Sequence, residues 1–238
     1  VNKTVYALQT ARKGSKTVKK KNILQINGKP LFLHNVLFCK ESKFIKEVFV
    51  STDDEYIIEN SNKFKYKIIE RPEYLAGDDA CHHKTIKQGL EQIEKETGEQ
   101  VDILVIVLGN SLGANTTDVD KAIQILLEDD SIDSVSSVSE FNMFNPLRAY
   151  QIDEKRFLKT FVEQTTIRNK TMKANINDKK AAGEIYFFNG SFWACRREAI
   201  LSDSGMLPFP WVGKRSRALV QDNQMEVDAA WQLKVITE

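Results

Sequence analysis

The stretch Asp102 to Leu108 (DILVIVL) constrains the fold of this chain more than any other. An unbroken run of Ile, Leu and Val without polar alternation has no side for water, so it reads as a strand buried on both faces by helices, at the centre of a sheet. The sequence before it has the matching rhythm. Thr4 to Leu8 is followed by a helical pattern over Leu31 to Lys40, Val48 to Thr52 by one over Asp54 to Asn62, and Lys67 to Glu70 by one over Lys84 to Glu96. Short β-rich runs alternating with longer helical ones mark βαβ units, so the expected class is α/β, a mostly parallel sheet with helices on both faces. Asp118 to Glu128 reads as a further helix, capped by Thr116 or Thr117, and Ser134 to Ser139 as a strand.

Beyond Glu140 the rhythm degrades. Ile167 to Lys180 is polar, rich in Asn and Lys and without a period, which makes it a mobile loop or an arm for a partner subunit. Pattern returns with a strand over Gly190 to Cys195, a short helix over Arg196 to Leu201 and an extended piece over Gln224 to Asp228. The 238 residues suffice for one main domain spanning the chain, with an excursion at about 145–188.

Composition excludes several classes. Hydrophobic residues make up 42% and charged residues 28%, yet no apolar run approaches the roughly 18 residues that span a bilayer, so no membrane partner is expected. Val1 to Gln9 reads as a strand without the features of a secretory signal, and cytoplasm is the expected compartment. Cys39, Cys81 and Cys195 are far apart and lack the spacing of a zinc site, so they read as reduced thiols. A net charge of +1 requires any anion site to be a local patch.

That patch follows the first strand. Ala11 to Asn22 (ARKGSKTVKKKN) carries Arg12, Lys13, Lys16, Lys19, Lys20 and Lys21 without an acid, while Gly14 and Ser15 let the backbone approach an anion. In an open parallel sheet this loop lies at the carboxyl edge, where ligands bind. A nucleoside triphosphate suits the charge, although neither the P-loop pattern nor the G-x-G-x-x-G fingerprint is present. A solvated lysine run is the plainer reading of such a loop. Single-stranded nucleic acid would require interleaved aromatic platforms, and the loop has none, so no nucleic-acid partner is expected.

The string ALQTARKGSKTVKKKNILQINGKPL closely resembles the signature of the CMP-acylneuraminate (sialic acid) and CMP-Kdo-like synthetases: an apolar strand, A-R-x-G-S-K, a spacer, K-N and N-G-K-P-L. VSTDDEYI from Val50, RPEYLAGDD from Arg71 and NGSFWACRREAIL from Asn189 are similar to later segments of that family. The resemblance implies a Rossmann-like nucleotidyltransferase (GT-A-like) sheet and transfer of CMP from CTP to an acidic sugar with release of pyrophosphate. It implies CTP contacts from Arg12, Ser15, Lys21 and Asn22 and a homodimer, for which the polar excursion would be a small arm. Ala11, Gly14, Lys16, Arg71 and Asp78 are further candidates for the nucleotide, Asn189 for the sugar, and Arg148 for a sugar carboxylate by the bidentate geometry of arginine. Arg12, Lys21 and Asp228 would carry the chemistry, which needs no protein nucleophile.

Glu226-Val227-Asp228 places two carboxylates two residues apart, on one side of an extended segment, with Met225 and Val227 turned to the core. Most such triplets are polar strand faces, but this one stands where the family has D-x-D. There the pair would hold Mg²⁺ (or Mn²⁺), which takes oxygen ligands and bridges phosphates. One segment departs from the family: L-Q-P-T-S-P-L-R is replaced by LGNSLGANTTD over Leu108 to Asp118. Asn110 and Ser111 could bond the nucleotide or cap the next helix. The acceptor is therefore open among sialic acid, a related nonulosonic acid, Kdo and a phosphonate, with a nucleotide-binding protein that lost its chemistry as the rival from another class. Arg148, on an expected strand, and Lys214, Arg215 and Arg217 are arginine-type anchors or surface charges. Trp193, Trp211 and Trp231 read as core or interface residues, and the adjacent His82 and His83 diverge by about 100° on a helix, too far to chelate one ion.

Overall fold

A first strand buried on both faces organises the molecule. In the computed structural model, which describes residues 3–141, 144–171, 183–222, 225–229 and 231–232, every residue of β1 (Val5–Thr10) is buried. Its alternate residues serve different faces. Val5 and Ala7 join the core that holds Phe32, Leu33 and Val36, whereas Leu8 meets a helix on the other side, at Gly89. A strand flanked in this way has no solvent face, which is why its sequence does not alternate, and its polar Gln9 is buried with its amide donating to Phe32 O at 2.9 Å.

The chain runs on through a two-strand ribbon, β2 (Gln25–Ile26) and β3 (Lys29–Pro30), into α1 (Leu31–Glu41) and β4 (Val48–Thr52). The short helices α2 (Glu55–Glu59) and α3 (Ser61–Phe64) lead to β5 (Lys67–Glu70), and α4 (Glu73–Ala76) and α5 (His82–Thr97) to β6 (Ile103–Leu108). After β7 (Ser111–Leu112) come α6 (Thr116–Glu128), β8 (Ser134–Glu140), β9 (Tyr150–Ile152), β10 (Leu158–Thr160) and α7 (Gln164–Thr171). The last elements are β11 (Tyr186–Arg196), α8 (Arg197–Leu201), β12 (Ser216–Val220) and β13 (Met225–Glu226).

Seven strands form the main sheet in the order β12-β8-β11-β6-β1-β4-β5. β6, β1, β4 and β5 are parallel neighbours, with Val5 opposite Ile103 and Ala7 opposite Val48, and β11 lies antiparallel to β6. The sheet is mostly parallel, as expected, with the apolar Ile103–Leu108 strand near its middle. α6 buries Val119, Ala122, Ile123 and Leu126, and α5 buries Ile86, Leu90 and Ile93, each set at the 3–4 residue spacing of one helix face. No described helix is long and apolar enough to cross a membrane.

The chain divides into two units. One comprises Val1–Ser137, Asn189–Leu219 and Gln224–Glu238, and the other Val138–Phe188 with Val220–Asn223. In the second, β9 and β10 pair antiparallel around a turn in which Asp153 Oδ1 accepts the Phe157 amide at 2.8 Å. Phe144, Tyr150, Phe157 and Phe161 of this unit are exposed.

Some local expectations are corrected. The helix expected from Asp118 begins at Thr116, and Asn115 is its cap, accepting the Asp118 amide at 2.9 Å. Thr116 is engaged elsewhere, donating to Phe38 O of α1 at 3.1 Å. Arg148 lies not on a strand but in a 3-10 turn over Pro146–Arg148, because Asn145 accepts the Leu147 amide at 3.0 Å and starts a turn. The pattern over Asp54 to Asn62 is broken into α2 and α3 at Asn60, and Asp54 caps the first by accepting the Tyr56 amide. Of the polar excursion, 172–180 lies outside the described residues.

Candidate active site

The basic loop is pinned at both ends. Thr52 Oγ1 donates to Ala11 O at 2.6 Å, and ten residues on Asn22 Nδ2 donates to Arg12 O at 2.8 Å. Ala11 is buried against Gly109, where any Cβ would come within 2.7 Å of the Ala11 Cβ and 3.2 Å of Asn22 Oδ1. The close approach of the β6 exit to the loop therefore requires glycine at 109.

Between these pins the six cations separate. Arg12 pairs with Asp78 at 2.7 Å and Lys16 with the same carboxylate at 3.0 Å. Lys16 and then Arg12 hold the Asp78 carboxyl below its usual range by hydrogen bonding to it. Lys13 turns away to Glu55 at 2.7 Å, Lys19 and Lys20 are exposed, and Lys21 reaches Asp228 at 2.8 Å.

A cavity of about 260 Å³ opens at the carboxyl ends of β1 and β6, within the first unit. Arg12, Gly14, Ser15, Lys21, Asn22, Arg71, Asp78 and Asn110 line it, joined by Thr10, His82 and Thr85. Arg71 is set by Ser51, donating from Nη2 to its carbonyl at 2.9 Å and from Nε to its hydroxyl at 3.3 Å, and burial lowers its pKa to about 10. Ligands of open parallel sheets sit at such an edge because the loops that leave the strands surround it.

Five expected contacts are not on the lining: Ala11, Lys16, Ser111, Asn189 and Arg148. Ala11 is a buried packing residue, and Lys16 is an exposed side chain that reaches the rim only through Asp78. Ser111 is fully enclosed, with Asn35 Nδ2 donating to its hydroxyl at 3.0 Å. Asn189 is only 4% exposed, and its side-chain carbonyl accepts from Ser137 Oγ and the Ser191 amide. Arg148 belongs to the second unit, where it is exposed.

The carboxylate pair is carried by β13, which pairs antiparallel with β7 so that Glu226 lies opposite Ser111. Val227 is fully buried with Ile26 and Leu31, which holds the segment down; the orientation expected for Met225 lies outside the described residues. Gly190 provides the room for Glu226. At φ +71 it adopts a backbone that favours glycine, and a Cβ there would fall on the Glu226 carboxyl. Burial, then the nearby Asp228 charge, raises the Glu226 pKa to about 7, against the pull of Lys21.

Among the described residues no three His, Cys, Asp or Glu side chains cluster as a complete metal cage. Mg²⁺ does not need one, since it commonly takes one or two carboxylates and completes its octahedron with phosphates and water. Two crowded carboxylates, one held neutral up to about pH 7 by burial and by the other's charge, fit such an ion, which would relieve that repulsion.

The sequence pattern gave no reason to place His82, Thr10 or Thr85 at the cavity. The signal available was position: Thr10 ends β1, and His82 and Thr85 open α5 directly after the RPEYLAGDD stretch. The two histidines diverge as helix geometry demands. His82 faces the cavity, 3.0 Å from Thr10 Oγ1 and edge-on to Trp211, while His83 is buried and bonds Ile200 O. Burial, the Arg71 charge and His83 press the His82 pKa down to about 4.

Residues 7–201 match the family model described as cytidylyltransferase. The chain is similar to the post-translational flagellin modification protein B of Campylobacter coli, 22% identical over 230 residues, covering 95% of this chain and 90% of that protein. It is 27% identical over 181 residues to the pseudaminic acid cytidylyltransferase and UDP-2,4-diacetamido-2,4,6-trideoxy-beta-L-altropyranose hydrolase of Helicobacter pylori. That match covers 76% of this chain but 34% of the Helicobacter protein, about a third of its length. In fold the chain is similar to a CMP:2-keto-3-deoxy-manno-octonic acid synthetase solved with CTP, with a TM-score of 0.68 at 17% identity over 98% of this chain and 97% of that one. The family match extends over well more than half of the sequence and takes in the basic loop, both segments that build the cavity and the strand that carries Gly190, and the chain belongs to the cytidylyltransferase family of nucleotidyltransferase enzymes.

Proposed function

We propose that this enzyme transfers CMP from CTP to an acidic sugar of the sialic acid or related nonulosonic class, with release of pyrophosphate and with Mg²⁺ (or Mn²⁺) held by Asp228 and Glu226. One observation carries the reading: Arg12 and Lys21 reach the same strand-end cavity from a pinned loop, and Lys21 joins that cavity directly to the carboxylate pair. An oxygen of the sugar forms its bond to the α-phosphorus as the bond from that phosphorus to the pyrophosphate oxygen breaks. Positioning and charge neutralisation carry such a transfer. Arg12, Lys16 and Lys21 stabilise the charge that grows on the departing pyrophosphate. The bound dication would add Lewis-acid neutralisation of the same phosphates.

The pseudaminic acid in the name of the Helicobacter relative supports a nonulosonic acceptor. A second acceptor class, Kdo or a phosphonate, is favoured by the Leu108 to Asp118 segment, because β7 and the Asn115 cap have replaced the family's proline- and arginine-bearing stretch. We assign no substrate contact to Asn189, whose side-chain oxygen already accepts from Ser137 and the Ser191 amide within the first unit. CTP and the sugar are the proposed partners, with a second copy of the chain.

Calorimetry with CTP, ATP, GTP and UTP tests the nucleotide, and pyrophosphate release with a panel of sialic, legionaminic and pseudaminic acids, Kdo and aminoalkyl phosphonates tests the acceptor. CTP is expected to bind tightest and at least one acceptor to release pyrophosphate. Asp228→Asn is expected to abolish release, by at least about a hundredfold, while keeping most CTP affinity. Equal affinity for all four nucleotides would remove the cytidylyl reading.

A further inference from the structure

Two side chains from different parts of the chain hold one oxygen of Asp228. Lys21 Nζ lies 2.8 Å from Oδ1, and Asn110 Nδ2 donates to the same atom at 3.1 Å. What anchors the two donors differs. Asn110 is built into the ladder that carries Asp228, since its own carbonyl accepts the Val227 amide at 2.8 Å. The Lys21 ammonium ends a flexible side chain whose backbone starts a 3-10 turn, Lys21–Ile23, and it also lines the cavity in which a triphosphate would lie.

The Asp228 side chain is 59% exposed and that of Lys21 14%, so water screens the pair from the carboxylate side, where an arriving dication can compete for it. A triphosphate offers the ammonium more negative charge than one carboxylate does, and a dication offers the carboxylate more positive charge than one ammonium does. Each partner therefore has a stronger alternative, the ammonium in the triphosphate and the carboxylate in the dication. Arg12 and Lys16 show the same arrangement on Asp78, so the three cations assigned to the departing pyrophosphate rest on carboxylates in the free protein, whereas Arg71 is held by Ser51.

We propose that Lys21 is the resident counter-ion of Asp228, a place-holder that moves to the phosphates when nucleotide and metal enter, and that Asn110 is the positioning residue that keeps the Asp228 carboxylate aimed throughout. The inference rests on Asp228 being a metal ligand. It gives the departing segment Leu108 to Asp118 a role in the metal site. It also couples the two ligands. Without nucleotide a dication meets an occupied carboxylate, while a triphosphate that draws Lys21 away opens it, and by linkage each ligand strengthens the other's binding by the same factor.

Mn²⁺ binding without any nucleotide, followed by loss of the free-ion EPR signal, tests this apart from turnover. Lys21→Gln removes the charge at similar length and is expected to tighten Mn²⁺ binding about fivefold. Lys21→Arg keeps a cation and is expected to leave binding as weak as in the unaltered protein. Adding Asp228→Asn or Asn110→Ala to Lys21→Gln is expected to erase the gain, with the unfolding midpoint showing that each variant remains folded. Equal Mn²⁺ affinity in the unaltered protein and in Lys21→Gln overturns the place-holder. Should Asp228→Asn nonetheless abolish pyrophosphate release, the metal-site reading stands and the inference alone falls; full release in Asp228→Asn removes both.

Discussion

At the scale of single residues, environment rather than identity decides what a side chain can do. His82 illustrates it. Thr10 and Trp211 beside it come from separate stretches of the chain, and burial, then the charges of Arg71 and His83, takes its pKa from 6.5 to about 4. The folded-state value lies below the unfolded one, so the unfolded chain takes up the extra proton as pH falls through about 6.5 toward 4. His82 therefore costs no stability above about pH 6.5 and removes it progressively below. Allowing for partial exposure, the loss between pH 7 and pH 5 is about 1–2 kcal/mol. Urea unfolding at the two pH values is expected to show a smaller difference in His82→Asn than in the unaltered protein. An identical difference would mean that His82 is not neutral in the fold. None of this is legible from the adjacent histidines in the sequence, although their divergence on the helix is.

At the scale of elements, the strands and helices whose burial follows a simple period were legible, and those whose burial depends on tertiary partners were less so. β4 and β5 have the bounds that the apolar pattern indicates, and α5 and α6 extend theirs by only one or two residues at an end. β8 is different, since Ser134, Ser136 and Ser137 are buried although the strand is half serine. Their hydroxyls bond Val212 O, Ser216 and Asn189, partners remote in sequence that neutralise the cost of burying them. Gly89 is another tertiary effect. It interrupts the helical pattern of α5, where alanine would raise helix propensity by about 1 kcal/mol. A Cβ there would stand 2.4 Å from Leu8 Cδ2, and Leu8 is fully buried. Overpacking outweighs propensity, so Gly89→Ala is expected to destabilise by about 1–3 kcal/mol in denaturant unfolding. In a Leu8→Ala background the same change is expected to be neutral or stabilising, and a cost unchanged by that background would show that the contact is not the cause.

At the scale of the whole molecule, the second unit carries a group of exposed aromatic side chains. Phe144, Phe157 and Phe161 are each more than 60% exposed, on a unit whose α7 is polar. Surfaces of that kind mark interaction sites, in keeping with the proposed homodimer. Light scattering at micromolar concentration is expected to give twice the monomer mass, and Phe157→Glu to lower it; a monomer at every concentration would remove the second copy. The amino-acid sequence by itself determined the α/β class, the parallel centre around Ile103–Leu108, the basic loop and the carboxylate pair on an extended segment. Each of these is a local pattern, set by the period of a strand or helix or by charge density within a dozen residues. Only the tertiary structure decided which of six loop cations face the cavity, that Ser111 and Asn189 are enclosed, that Gly190 makes space for Glu226 and that Lys21 rests on Asp228. The reason is physical. Those facts are contacts between groups up to 207 residues apart, and strand order and packing, which no local period encodes, bring them within hydrogen-bonding distance.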